Sequence, residues 1–516
     1  MRDLLTTRST PNEAEDFSRR CVAVRLLAHP NSERVGEFCP LFDFGGEGTA
    51  LISRNTPEFR TMEGRVSGPL LSPRITRTPL SIELRADRVV VSSPPGSARI
   101  EVNGEPLRGE RALDLAAMDS GIVILFGSSL ALLVGNLELT DAATAAPSMI
   151  GDSTALRVLR QEIARIAELD VPVLLRGETG VGKELVAAAL HSRSLRSAAP
   201  YIAVNLASVP PSLAASELFG HRRGAFSGAT DDHKGYFSQA DGGTLFLDEI
   251  GDIGSDVQTS LLRAIESGVI QPLGGKTTKV DVRLIAATDS NLEEAISKQQ
   301  FREPLLRRFS YEIRIPPLRA RRDDIGLLFI HFIRQRLGAA LAMERLNPPG
   351  PDPDPWIPAA FVADLALHDW PGNVRELANV ALRFAVENRE RKVARVSDSL
   401  KELLRPRARA DRNPAPQPSR PRRSPLPSDA ELIAAMKSAN FQRERAAKAL
   451  GISKSYLSKR LESIPQIRSV AEIPAPEVRA ALELANGDLE SAAAALQVSE
   501  RALKLYVKRT GRQSDH

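Results

Sequence analysis

The sequence predicts a multidomain protein: an N-terminal β-sandwich, a central doubly wound α/β domain with a helical segment after it, and an all-α C-terminus. Three observations carry this. Short β-rich runs separated by Gly and Pro clusters fill residues 20–138. From residue 149 onward apolar strands alternate with amphipathic helices around a glycine loop. Near the end the chain repeats itself at an offset of 46 residues, Glu431 matching Glu477, and Ala446-Ala447-Lys448-Ala449-Leu450-Gly451-Ile452-Ser453 pairs with Ala492-Ala493-Ala494-Ala495-Leu496-Gln497-Val498-Ser499.

A chain of 516 residues is too long for one core, and about three or four domains are expected. With 42% hydrophobic and 26% charged residues, the composition is that of a water-soluble globular protein. Cys21 and Cys39 are too few for a secreted disulfide framework, and no apolar leader follows Met1-Arg2-Asp3. The expectation is a cytoplasmic protein with no membrane partner. The most apolar window, Gly121 to Leu137, is broken by Gly127-Ser128-Ser129 and reads as two buried strands joined by a turn.

The order of segments follows from these patterns. After a tail over 1–19, the sandwich spans 20–138, with strands at Val22–Leu27, Val89–Val91 and Ile122–Leu125. A linker over 139–148 contains Ala142-Ala143-Thr144-Ala145-Ala146-Pro147. The α/β part is expected over 149–345 and a helical lid over 346–404. Residues 405–427 form a Pro/Arg-rich linker in which Arg405, Arg407, Arg409, Arg412, Arg420, Arg422 and Arg423 face only Asp411. The helical copies follow at 428–467 and 474–511.

In the central part, Gly177, Glu178, Thr179, Gly180, Val181, Gly182, Lys183 and Glu184 stand between the apolar runs Val171–Leu175 and Leu185–Leu190. Strand, glycine loop and helix N-terminus make a cradle for a polyphosphate, and Lys183 adds a charge that reaches the terminal phosphates. Some sixty-five residues later, the apolar strand Thr244–Leu247 ends in Asp248 and Glu249. Asp248 there suits a Mg²⁺ shell and Glu249 suits polarising an attacking water. Glu184 occupies the place where the general phosphate-loop pattern has Ser or Thr, which argues against a GTPase.

Each copy of the repeat reads as helix, short helix, tight turn, helix, with Ser453 and Ser499 as N-caps. In the first copy the last helix offers Ser453, Lys454, Ser455, Ser458, Lys459 and Arg460. Small residues with a basic leading face suit the major groove of double-stranded DNA; a helical protein-interaction module fits the same pattern.

Residues 149–390 resemble the AAA+ domain of bacterial sigma-54-dependent transcriptional activators, in which Glu at the place of Glu184 is usual. Within Glu217–Ala229, the residues Gly224, Ala225, Phe226, Ser227, Gly228 and Ala229 resemble the family's GAFTGA loop, with Ser for Thr. The resemblance implies that this loop touches the sigma factor. It further implies a switch role for Asn205, sensor I at Thr288 with Asp289 replacing Asn, and sensor II at Arg375. Arg302 and Arg308 inherit the roles of fingers on a neighbouring subunit, in a segment where Pro304 and Arg307 depart from the family. ATP and Mg²⁺ as cofactors, a hexameric or similar ring, and sigma-54 RNA polymerase as partner are implied with them.

The sandwich resembles a forkhead-associated (FHA) domain on Arg54, Thr76, Arg77 and the Asn103-Gly104 turn, with Pro79 where that family has His. This implies a phosphothreonine protein or a Ser/Thr kinase as partner. The terminal repeat resembles the Fis-type helix-turn-helix, which implies binding to upstream DNA. Two other readings stay open: a remodelling ATPase with another protein client, and a non-hydrolysing DNA-binding regulator that keeps the fold.

Overall fold

The computed structural model describes residues 19–43, 47–72, 75, 79–93, 99–139, 149–226, 228–347, 355–404, 429–439, 446–447, 457, 473–486, 488–496, 498, 503–504 and 506–507. They fall into two units, residues 1–406 and 407–516.

The first unit opens with β1 (Arg19–Ala28), β2 (Phe38–Asp43), β3 (Gly48–Ile52), β4 (Phe59–Arg60), β5 (Val66–Gly68) and β6 (Leu80–Leu84). It continues with β7 (Arg88–Ser92), β8 (Ile100–Val102), β9 (Glu105–Pro106), β10 (Glu110–Asp114), α1 (Ala117–Ser120), β11 (Ile122–Phe126) and β12 (Leu130–Leu139). Among the described residues these make a sheet in the order β5-β4-β2-β1-β12-β11-β8-β9 and a second in the order β10-β7-β6-β3. Alternate residues of each sheet, such as Val22, Val24 and Leu26 on β1 and Leu80, Ile82 and Leu84 on β6, meet in one apolar core. Asn103 (φ +51°) and Gly104 (φ +78°) form the two-residue turn between β8 and β9, where both positions need the left-handed region.

The α/β part contains α2 (Thr154–Ala167), β13 (Val173–Arg176), α3 (Lys183–Ser192), β14 (Tyr201–Asn205), α4 (Ala214–Phe219), α5 (Tyr236–Gln239) and β15 (Thr244–Asp248). Then come α6 (Ser255–Ser267), β16 (Val269–Ile270), β17 (Thr278–Lys279), β18 (Arg283–Thr288), α7 (Leu292–Ser297), α8 (Glu303–Leu306) and β19 (Tyr311–Arg314). The main sheet is parallel in the order β14-β15-β18-β13-β19, with apolar cores on both faces. Such a sheet places the ends of β13, β14, β15 and β18 along one edge, where ligands bind in doubly wound folds.

Among the described residues, five helices complete the unit: α9 (Ile325–Leu337), α10 (Ala339–Leu346), α11 (Ala359–Leu367), α12 (Asn373–Asn388) and α13 (Asp398–Leu404). Phe329, Phe361 and Phe384 pack with ring centroids 5.2 to 5.7 Å apart. Because α9 and α10 bury Phe329, Ile333 and Leu346 in this helical core, the helical part begins near residue 318, not at 346 as the sequence pattern suggested.

The same core runs on into the sandwich. Leu27 and Ala28 of β1, Val123 and Leu125 of β11, and Ala131 and Leu133 of β12 pack in one cluster with α9, α11 and α12. This is why Ile122–Phe126 is apolar without alternation: both faces of β11 are buried, one against each core. Polar contacts close the seam. The Ala359 amide donates to the Ser128 carbonyl at 3.2 Å, and the Ser32 hydroxyl donates to Asn347 Oδ1 at 2.7 Å. Buried Arg25 donates to the Asp152 carbonyl at 3.0 Å and lies 3.2 Å from Asp323, while Asp324 accepts from both the Ser153 amide and hydroxyl.

On α9, Gly326 faces β1 so closely that a Cβ there would stand 2.3 Å from the Leu27 carbonyl oxygen. Gly326→Val is therefore expected to pry α9 from β1 and destabilise the unit by about 1–3 kcal/mol. An unchanged urea midpoint would contradict this seating.

In the second unit, α14 (Asp429–Ser438) and helices over Ala475–Leu484 and Leu489–Ala495 are described. Leu432, Ala446, Ala447 and Leu457 share one small core; Val478, Ala492, Ala493 and Leu503 share another. These are the same positions at the 46-residue offset, so the two copies build equivalent cores.

Candidate active site

The glycine loop runs from the end of β13 to the start of α3, and Gly180 (φ +78°) and Gly182 (φ +105°) supply the left-handed turns it needs. The Gly177 amide is held by the Thr288 carbonyl of the neighbouring strand at 3.3 Å. The loop borders a cavity of about 530 Å³. It is lined by Thr179, Gly180, Val181, Gly182, Lys183, Glu184, Asn205, Asp248, Glu249, Arg321 and Arg375. Met149, Ile150, Leu156, Ile315, Leu328 and Phe332 add apolar lining. A lining that combines cationic side chains and loop amides with apolar side chains suits a molecule with phosphates and a flat ring.

Lys183, 7% exposed, donates through Nζ to the Gly177 carbonyl at 3.2 Å and to Glu249 Oε1 at 3.1 Å. The other Glu249 oxygen accepts from the Asp289 amide at 3.3 Å. Glu249 itself has φ +57°, a conformation that costs a non-glycine residue about 1–3 kcal/mol and recurs at active sites. Neighbouring strands set an amide beside an acid: Asn205 at the end of β14 pairs in register with Asp248 at the end of β15, and its amide donates to Asp248 Oδ2 at 3.4 Å.

Burial pushes the Glu249 carboxyl above the usual glutamate range, against the pull of Lys183, and Asp289 adds to the rise. A base must be ionised to work, so a rate that depends on Glu249 is expected to fall with decreasing pH before ordinary glutamates protonate. A pH–rate profile whose acid limb lies in the ordinary glutamate range would contradict this.

Other expected residues take varied positions. The Thr288 hydroxyl accepts from the Ser290 amide, while the next residue, Asp289, accepts from the Thr179 hydroxyl and so faces the loop. Arg375 lines the cavity from α12. Arg302 and Arg308 do not line it: the Arg302 amide donates to Gln258 at 2.8 Å and Arg308 pairs with Glu266. Pro304 sits in the first turn of α8, where no amide donor is required. Near the His221–His233 bridge, the Gly224 amide donates to the Ala229 carbonyl at 2.8 Å. Phe226 is 38% exposed there and meets His221 edge-on at 5.0 Å. Ser227 lies outside the described residues.

In the sandwich, Arg54 donates to the carbonyls of Ser72 and Ile75 at 3.0 and 3.3 Å. Asn103 Oδ1 accepts from the Val123 amide at 2.9 Å. Thr76 and Arg77, and Ser453, Lys454, Ser455, Ser458, Lys459 and Arg460, lie outside the described residues. Arg321, Arg319 and Asn373 were not singled out by the sequence. Arg321 lines the cavity and donates to the Val181 carbonyl at 3.2 Å, but nothing in its arginine-rich surroundings distinguishes it in one dimension. Among the described residues no helix is long and apolar enough to cross a membrane, and no cluster of three or more His, Cys, Asp or Glu could hold a metal.

Residues 149–314 match the sigma-54 interaction domain, and residues 319–416 match the AAA+ ATPase lid domain. The nitric oxide reductase transcription regulator NorR2 of Cupriavidus necator is 49% identical over 243 residues, 46% of this chain and 44% of that protein. The transcriptional regulatory protein ZraR of Salmonella typhimurium is 47% identical over 252 residues, 48% of this chain and 55% of that protein. The crystal structure of NtrX from Brucella abortus in complex with ADP is 32% identical, with a TM-score of 0.44, covering 61% of this chain and 69% of that one. The chain spans about half the length of the curated relatives it matches.

Proposed function

We propose that this chain, whose residues 149–314 are a sigma-54 interaction domain and whose residues 319–416 are an AAA+ ATPase lid, is a cytoplasmic, ring-forming ATPase that opens promoters held by sigma-54 RNA polymerase. The observation that carries the reading is the convergence of Lys183, Asp248 and Glu249 on one cavity beneath the glycine loop. ATP would lay its phosphates along the amides of Gly177–Lys183 and its ring against the apolar lining residues. A γ-phosphate competes with Glu249 for Lys183, so binding would release the Glu249 carboxylate to hold the attacking water. Asp248 would hold the Mg²⁺ that neutralises phosphate charge. Arg302 and Arg308, outside their own cavity, would serve the neighbouring subunit's γ-phosphate. Phe226, 38% exposed, would contact the sigma factor.

The equivalent cores of the terminal repeat support a duplicated helix-turn-helix that reads upstream double-stranded DNA. The sandwich supports an FHA-type sensor of a phosphothreonine protein or a Ser/Thr kinase, and its shared core with the lid gives that signal a route to the ATPase. The test is transcription from a sigma-54 promoter carrying this protein's own upstream site, with purified polymerase and ATP. ATP-dependent transcript is expected. Measurable ATPase without transcript would assign the motor to another client, and absence of ATPase would leave a non-hydrolysing regulator.

A further inference from the structure

The contact between the helical lid and the glycine loop centres on a residue outside the cavity lining. Asn373 opens α12 at φ +51° and is fully buried. Its side-chain NH₂ donates to Glu178 Oε2 at 3.1 Å and to the Thr179 carbonyl at 3.2 Å, and its Oδ1 accepts from the Leu318 amide at 2.8 Å. One side chain thus joins the glycine loop, the chain entering the lid, and the helix that bears Arg375. The loop side is braced by Arg319, which grips both Glu178 oxygens at 2.8 and 2.5 Å. Backbone contacts continue the strap: the Val374 and Arg375 amides reach the Gly180 carbonyl at 3.0 and 3.3 Å. At Gly180 a Cβ would stand 2.5 Å from the Gly372 carbonyl oxygen, so only glycine lets the two backbones approach.

We propose that Asn373 is a positioning residue for the nucleotide, registering Arg375 against the phosphate loop, with Glu178 and Arg319 as the ion pair that holds the loop's end of this latch. It rests on the nucleotide reading of the cavity. Neither Asn373 nor Arg319 needs to touch the ligand. Asn373 sets where the guanidinium two residues along α12 stands relative to Gly180–Lys183, and a buried amide with three partners has little freedom to let it shift.

A double-mutant cycle on the full chain tests the latch, read as the affinity for a fluorescent ADP analogue. Asn373→Ala and Arg375→Ala are each expected to weaken binding about tenfold, and the double variant by little more than either alone, because the misplaced guanidinium has no contact left to lose. If Arg375→Ala costs its full factor in the Asn373→Ala background, the latch is wrong. Should Asn373→Ala unfold, Glu178→Gln serves instead: its side chain is 42% exposed and the amide keeps the size. It is expected to weaken binding about threefold and to couple to Arg375→Ala in the same sense, and strict additivity there overturns the proposal too. Wild-type protein that binds no analogue would instead sink the nucleotide reading, and the latch with it.

Discussion

Glu249→Gln is expected to lower ATP turnover by roughly 10²–10⁴-fold while ATP binding survives. In the proposed mechanism this carboxylate orients the water, and in the structure it lines the cavity and accepts from Lys183 at 3.1 Å. The amide is the same size and still accepts from Lys183, so the loop need not rearrange. It loses the basicity on which proton transfer depends. Parallel measurement of steady-state turnover and of analogue affinity separates the two effects. Turnover within a few-fold of wild type would move the base elsewhere, with Asp248 as the next candidate on the same strand end.

Arg308→Ala is expected to cost as much or more, about 10³–10⁵ in turnover if the arginine stabilises transition-state charge in trans. Within one chain Arg308 is paired with Glu266, away from its own glycine loop. The decisive measurement mixes two inactive proteins. Arg308→Ala subunits keep an intact cavity, and Glu249→Gln subunits keep the arginine. In a mixed ring the second would supply what the first lacks, and part of the turnover should return. No recovery at any mixing ratio would mean that Arg308 does not act on a neighbour.

The site was legible in the sequence to the extent that its chemistry is local. Gly177–Lys183 is one strand-to-helix turn, and Gly180 and Gly182 take the left-handed angles that the turn requires. Asp248 and Glu249 follow an apolar strand, and the parallel sheet brings that strand's end to the same edge as the loop. The residues that join separate segments were not legible. Asn373 reads as one residue of a Gly-Asn-Val-Arg run, and its bonds to Glu178 and Thr179 cross almost two hundred residues of chain. Asp289 stands beside Thr288 in sequence, and only the packing of β18 against the loop decides that Asp289 is the one facing Thr179.

The sequence by itself determined the α/β core and its phosphate loop, the acidic strand end, the hairpin over Ile122–Leu139 and the duplicated helical end. Those depend on periodicity, turn chemistry and short-range spacing, which are properties of a chain in one dimension. Tertiary structure alone decided that the sandwich and the lid share one apolar core, that the lid begins near Leu318, and that Arg375 is tied to the glycine loop through Asn373. An apolar face shows in sequence that it must be covered, but what covers it is settled only when distant segments pack to the density of a protein interior.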